Sequence, residues 1–519
     1  MNMYTSAAIA FIPLLWLLTS LGVLKMPAHK ATIIGLAVSA IIAVIAWNMP
    51  VSLMLKAALE GVVMAVWPIL WVILAAIFTY NVSVETGAMD KMRDQIASLS
   101  DDRRIQALLI AWGFGAFLEA AAGFGTAVAI PAAILIGLGF EPLAAAVLCL
   151  IANTVPVAFG AVGIPVTTLA QVADLPVMDL TYDIALQLTP FVIIIPAGLI
   201  LMMTRSATGL KGVTGAALVA GISFAIPQLL IAKFVGPQLT AIGASIVSMA
   251  ATALWAKNFP PAQIWHFPFE GTKGAEKRKI GVRAADNQTV FDQVAAWAPY
   301  LLILVFILAT SPLVPTLNAA FGHVRSYILI YNAPGGKPLA IDWLLTPGTL
   351  IVIAAIIGGF IQGATAAGLV KILYKTFVNL KKTSITIISI VALAKIMSYS
   401  GMVAAIALAL AKVTGSAYPI LAPALGALGT FVTGSDTSAN VLFGPLQKQT
   451  ALQIGVDPTW IAASNTTGAT AGKMISPQSI AIATTATGQS GKEGEILAIT
   501  FKYCLGYVIL AGLLVYFFA

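Results

Sequence analysis

Residues 115–168 read GAFLEAAAGFGTAVAIPAAILIGLGFEPLAAAVLCLIANTVPVAFGAVGIPVTT, apolar enough to enter a membrane yet cut repeatedly by glycine and proline. Gly123, Gly125, Pro131, Pro142, Pro156, Gly160, Gly163 and Pro165 each weaken a helix or remove a backbone donor. Irregular backbone at membrane depth is tolerated only where protein buries it or where it lines a wet cavity. The stretch is therefore a candidate binding site made of interrupted helices.

A second copy of this design lies at residues 431–479, FVTGSDTSANVLFGPLQKQTALQIGVDPTWIAASNTTGATAGKMISPQS. Phe117 matches Phe431, Pro131 matches Pro445, and Gly139-Phe140-Glu141-Pro142 matches Gly455-Val456-Asp457-Pro458 at nearly constant spacing. Asn153-Thr154, Gly160 and Pro165 then meet Asn465-Thr466, Gly472 and Pro477, while Gly87 upstream meets Gly401. We read one transport domain over 1–519, with repeat 1 at 55–205, connecting spans and loops at 206–369, and repeat 2 at 370–519.

A hydrophobic fraction of 59%, charged residues at 9% and a mean hydropathy of +0.96 place the chain among polytopic membrane proteins. The net charge of +8 is not a nucleic-acid signature, because the basic residues fall between apolar runs, where they report orientation. Cys149 and Cys504 lie inside apolar runs and form no CxxC motif, and His29, His266 and His323 are scattered. No metal, haem or other cofactor is expected, and no clustered nucleophile points to an enzyme.

The fold class is all-α, with about twelve transmembrane helices plus two re-entrant hairpins in two inverted-topology repeats. Spans are expected near 4–24, 31–48, 62–82, 188–204, 213–231, 238–256, 293–310, 346–367, 384–401 and 496–517, with broken spans near 144–173 and 459–487. Hairpins near 105–142 and 416–451 turn at Glu119–Gly125 and Thr433–Asn440. The strip Asp90–Arg104 reads as an interfacial helix on the cytoplasmic side, and 311–345 as a polar external loop. Lys25 and Lys30 after the first span place the N-terminus outside; Lys273, Lys277, Arg278, Lys279 and Arg283 place the loop 257–292 inside. An odd number of crossings between the two units inverts the second, so the hairpins enter from opposite faces and meet near the midplane.

Half-helix N-termini meeting there favour an anion. Small polar side chains surround them, of which Asn153, Thr154, Ser435, Thr437, Ser464, Asn465 and Thr466 are candidate substrate contacts; the same residue types also serve to satisfy broken backbone or join helices. Glu119, Asp436 and Lys473 are ionisable residues in apolar units, where charge is costly and function is the default reading. Burial disfavours a carboxylate's charged form, which makes Glu119 and Asp436 candidate proton carriers. Glu119 also fits a neutral structural acid, and Asp436 a hairpin cap. Lys473 either faces a substrate carboxylate or pairs with Asp436, and Lys395 lies close enough to a span end to snorkel.

GAFLEAAAGFGTAVAIPAAILIGLGF, LCLIANTVPVAFGAVGIPV, TGSDTSANVLF and SNTTGATAGKMISPQSIAIA resemble the signature blocks of the L-lactate permease family. That resemblance covers nearly the whole chain. It implies a multi-pass symporter of a bacterial cytoplasmic membrane moving L-lactate, D-lactate and glycolate with protons. The partners it implies are thus a 2-hydroxymonocarboxylate anion, a proton and the lipid bilayer. Ser464-Asn465-Thr466 and Ala152-Asn153-Thr154 also resemble the paired Ser-Asn-Thr motifs of divalent anion/sodium symporters, implying an elevator-type homodimer. Ala152 stands where that pattern has Ser, which counts against the alternative of sodium-coupled carboxylate uptake.

The orientation is testable. A single cysteine introduced at Thr272 should react with an impermeant maleimide only in permeabilised cells, and labelling of intact cells would reverse the topology.

Overall fold

The structure, a computed structural model, describes residues 2–123, 125–267 and 289–519. The basic residues Lys273 to Arg283 lie outside the described residues. The chain opens with α1 (Met3–Leu18), α2 (Ala28–Ile45), α3 (Val51–Met64) and α4 (Trp71–Glu85). It continues through α5 (Ala88–Ala97), α6 (Arg103–Ala107), α7 (Gly115–Ala121), α8 (Thr126–Gly137), α9 (Pro142–Ala152), α10 (Gly160–Ala173) and α11 (Val177–Thr204). The middle holds α12 (Thr214–Phe234), α13 (Pro237–Asn258), α14 (Val290–Ala296), α15 (Ala298–Thr310), α16 (Pro315–Gly322), strands β1 (Arg325–Ile328) and β2 (Leu339–Asp342), α17 (Pro347–Ile361) and α18 (Ala366–Asn379). The last third is α19 (Lys381–Ser400), α20 (Met402–Thr414), α21 (Tyr418–Thr433), α22 (Asp436–Ile454), α23 (Pro458–Lys473), α24 (Pro477–Thr487) and α25 (Glu493–Phe517).

The protein is an all-α polytopic membrane protein. Among the described residues 11 helical stretches are long and apolar enough to cross a membrane, or 12 if the 88° bend between α15 and α16 is counted as one span. Large side chains on the outer helices, such as Ile194, Ile226, Leu254 and Ile509, are more than half exposed, as lipid-facing positions require. In the stretch Arg103–Ala121, by contrast, every residue from Arg104 onward is buried. An arm with no lipid-facing side belongs to the interior, as a hairpin arm would.

Landmarks matched in sequence recur in structure. Gly87 and Gly401 both adopt left-handed backbone, at φ 72° and 90°, and both start the helix after a long span. Gly125 and Gly434, at φ 88° and 72°, turn the two hairpins. Pro142 and Pro458 both stand in the first helical turn, where the missing N–H costs nothing. The breaks differ in form. The first runs from Asn153 through the 3₁₀ turn Pro156–Phe159 to Ala161, Val162 and Gly163, all three at positive φ; the second occupies only Met474 to Ser476.

Segments expected on one side of the membrane meet one another. Lys56 Nζ reaches Asn332 at 2.7 Å, Lys337 pairs with Asp174 at 2.7 Å, and Lys448 Nζ donates to the Ala173 and Asp174 carbonyls, all between segments read as external. At the other end buried Arg104 pairs with Asp102 and donates to the Gly209 and Lys211 carbonyls, while Gln95 accepts from the Trp297 indole. The polar loop expected at 311–345 contains α16 and a β-hairpin with Arg325 opposite Asp342.

Two further expectations are corrected. The third span begins at Val51 rather than near residue 62, and α3 runs into α4 across a kink where Trp67, preceding Pro68, leaves helical geometry. Its polar positions looked like loop because their partners are distant in sequence: Glu60 is 3% exposed and pairs with Lys395 at 3.0 Å. Lys395 therefore does not snorkel.

α21 packs on α23 through glycines. A Cβ at Gly468 would run into the Pro423 carbonyl, and one at Gly472 into that of Ala427. Gly468→Ala should lower stability by about 1–3 kcal/mol through overpacking, whereas Gly506→Ala, with open space at its Cβ, should be neutral. Heating followed by size-exclusion chromatography distinguishes the two.

Candidate functional site

Both hairpin tips and both helix breaks face one cavity of about 170 Å³. Hairpin 1 contributes Glu119 and Gly123, and the first break contributes Val157, Gly160, Ala161 and Pro165. Hairpin 2 contributes Thr433 to Ser438, while Lys473 and Gln478 flank the second break. Thr383 and Thr386, one turn apart on α19, close a further side.

Each polar group reaches the cavity for a local reason. Gly434 allows the sharp turn of hairpin 2, after which Ser435 caps α22 by accepting the Ser438 N–H at 3.3 Å. The remaining first-turn amides, beside Asp436 and Thr437, have no intrahelical acceptor. Ser476 caps α24 in the same way, accepting from the Ser479 N–H at 3.2 Å. In hairpin 1 the Glu119 carboxyl lies against Gly160, so close that a Cβ there would come to 2.8 Å from Oε1. Glycine at 160 is what lets hairpin 1 and the first break touch.

The charged groups are few and poorly neutralised. Glu119 and Asp436 are each 3% exposed. Glu119 Oε2 and both Asp436 oxygens have no hydrogen-bond partner among the described residues. The Asn153 amide adjoins Glu119, but neither of its polar atoms makes a hydrogen bond of normal geometry among the described residues. Lys473 acts electrostatically on both acids. Its Nζ donates at 2.9 Å to the Gly434 carbonyl, and no salt bridge joins it to Asp436 among the described residues. One cation, two incompletely partnered acids and a helix N-terminus around a single cavity can bind a small anion and hold a proton.

Of the candidates from sequence, Glu119, Ser435, Asp436, Thr437 and Lys473 line the cavity, with Asn153 behind Glu119. Thr154, Ser464, Asn465 and Thr466 do not. Thr154 is buried with its hydroxyl 3.5 Å from the Leu150 carbonyl, and Ser464 donates to the Ile461 carbonyl. Asn465 donates to Asn440 at 2.9 Å and accepts from Gln447 at 3.1 Å; Thr466 donates to Asn440 at 3.0 Å. The matched Asn residues thus differ in role: Asn153 ends α9, whereas Asn465 lies inside α23. Thr383, Thr386 and Gln478 escaped sequence reasoning. Gln478 carried a usable signal, following directly on the break at Ser476-Pro477.

The chain matches the family model described as L-lactate permease over residues 6–519. It is 43% identical over 457 residues to an L-lactate permease of Streptococcus iniae, covering 88% of this chain and 93% of that protein. It is 38% identical over 532 residues to the glycolate permease GlcA of Escherichia coli, covering 98% and 95%. Among solved structures, MtrF of Neisseria gonorrhoeae, described as illuminating a class of antimetabolite efflux pumps, aligns over 89% of this chain and 83% of its own at 13% identity, with a TM-score of 0.49.

The Asn465 network generates a prediction. Asn465→Ala leaves Gln447 with the Ala422 carbonyl as its one acceptor and Asn440 short of a donor, so it should destabilise the protein by about 1–3 kcal/mol. Ligand affinity of the folded fraction should be retained. Thermal unfolding and binding measured on the same purified sample check both halves.

Proposed function

Because the chain belongs to the L-lactate permease family, we propose that it is a secondary active transporter taking up L-lactate, D-lactate and glycolate with protons across a bacterial cytoplasmic membrane. Lactate and glycolate transport is what the named relatives support. The observation that carries the finer reading is the cavity in which Lys473 stands beside two buried, incompletely partnered acids.

The substrate carboxylate sits toward Lys473 and the first-turn amides of α22, where a fixed charge and a helix dipole favour it. Thr437 and Ser438 offer hydroxyls, and Val157 and Ile164 offer apolar wall for the methyl group of lactate. With both acids ionised, the walls carry one excess negative charge and repel the anion. A proton on Glu119 brings them to neutrality, so proton and anion each favour the other's binding. Glu119 suits this role because its carboxyl bridges hairpin 1 and the first break, where its charge can bear on their contact. Repeats 55–205 and 370–519 each supply one hairpin and one broken helix, in opposite orientations.

Glu119→Gln keeps the shape and removes the titration. In proteoliposomes this variant should exchange lactate for lactate at near wild-type rates while losing accumulation driven by an imposed pH gradient. Normal accumulation would transfer the proton to Asp436. If wild-type accumulation follows a sodium gradient rather than a pH gradient, proton coupling is wrong.

A further inference from the structure

A second cavity, of about 570 Å³, is separate from the transport cavity. Its walls come from α3, the end of α10, the segment around Lys337, α19 and α22, drawing on segments read as external. α10 connects the two cavities. Pro165 borders the inner one and Ala173 and Asp174 the outer, roughly 12 Å apart at the rise of an α-helix.

Three lysines and two acids face this space. Lys395 is held by Glu60 at 3.0 Å and lies over the Tyr399 ring, and Glu60 also accepts from the Tyr399 hydroxyl at 2.6 Å. That side is tightly paired. The opposite side is paired more loosely, with Lys448 held on the Ala173 and Asp174 carbonyls at 2.8 and 2.9 Å. Lys337 and Lys448 approach the same oxygen, Asp174 Oδ2, at 2.7 and 3.8 Å, and the Lys337 and Asp174 side chains are 71% and 63% exposed. Burial raises the Asp174 pKa, but the hydrogen bond from Lys337 and the charges of Lys448 and Lys337 outweigh it, so the carboxyl is held below its ordinary value. An exposed pair of this kind is weak and readily exchanged for another anion.

We propose that this cavity is an outer capture site for a 2-hydroxycarboxylate anion, whose carboxylate replaces that of Asp174 on Lys337 and Lys448. The inference rests on the substrate reading above. Asp174 is thus an internal competitor: it keeps the lysines in place when the site is empty and yields to ligand. The anion is concentrated at one end of α10 before it reaches the half-helix start at the other.

The test uses the full chain in right-side-out membrane vesicles, measuring initial rates of labelled L-lactate uptake at low and high salt. Lys337→Ala should raise KM about threefold at low ionic strength, and Asp174→Asn, which removes the competitor but keeps a residue suited to left-handed backbone, should lower it by about the same factor. Both variants should keep the wild-type maximal rate, and both differences should shrink in high salt. Unchanged KM in both variants overturns the capture site. So does a shift of the same sign in both, which would mark the pair as merely structural. If the wild-type chain carries no lactate, the substrate reading and the capture site fall together; if it does and the variants behave like it, only the capture site falls.

Discussion

The Pro165 carbonyl, at the start of a half-helix in the middle of the protein, accepts a hydrogen bond from Asn440 at 3.2 Å, and much of the architecture follows from that bond. A helix broken inside a membrane exposes backbone groups that lipid cannot satisfy. Here the remedy is a buried chain of amides. Tyr418 donates to Gln447, Gln447 to Asn465, and Asn465 and Thr466 to Asn440, which in turn serves Pro165. The chain runs across hairpin 2, the second broken helix and the first. Low dielectric strengthens every link and makes every unpaired member costly, so the three elements are positioned together or not at all.

The same accounting separates scaffold from site. A polar group that already has its partners gains little from a ligand, which is why Asn465 and Thr466 belong to the frame. Groups left short, Glu119 Oε2, Asn153 and both oxygens of Asp436, are the ones for which a ligand or a proton changes the energy. Lys473 stands between these classes. Its hydrogen bond to Gly434 satisfies a hairpin carbonyl, yet an ammonium has three donors and can serve an anion as well.

The fold was legible in sequence where punctuation marks carry geometry. Gly125 and Gly434 allow left-handed backbone at no steric cost and Pro142 and Pro458 suit a first helical turn, so hairpin turns and helix starts could be placed where these residues interrupt apolar runs. The acids and Lys473 were legible because isolated charge in an apolar run has few explanations. What escaped depends on partners far along the chain. Glu60 looked like the end of a loop until Lys395 was seen to face it, and the matching of Asn153 with Asn465 gave no sign that one would be unpaired and the other saturated. Thr383 and Thr386 lie outside any glycine-rich block and reach the cavity only because α19 passes beside it.

The two hairpin-and-break units around the cavity are built differently. The first carries Glu119 and the long break with Ala161 and Val162 in left-handed backbone, a conformation that costs non-glycine residues roughly 1–3 kcal/mol each. The second carries Lys473, a break of a few residues and serine caps on both half-helices, a relaxed arrangement. The strained segment directly follows the point where Glu119 presses on Gly160. A change of charge on that carboxyl therefore acts on backbone already away from its minimum, whereas the side carrying Lys473 offers helix ends already capped by Ser435 and Ser476. Titration at a strained contact and binding at a rigid one can be coupled through a shared cavity without the same residue doing both.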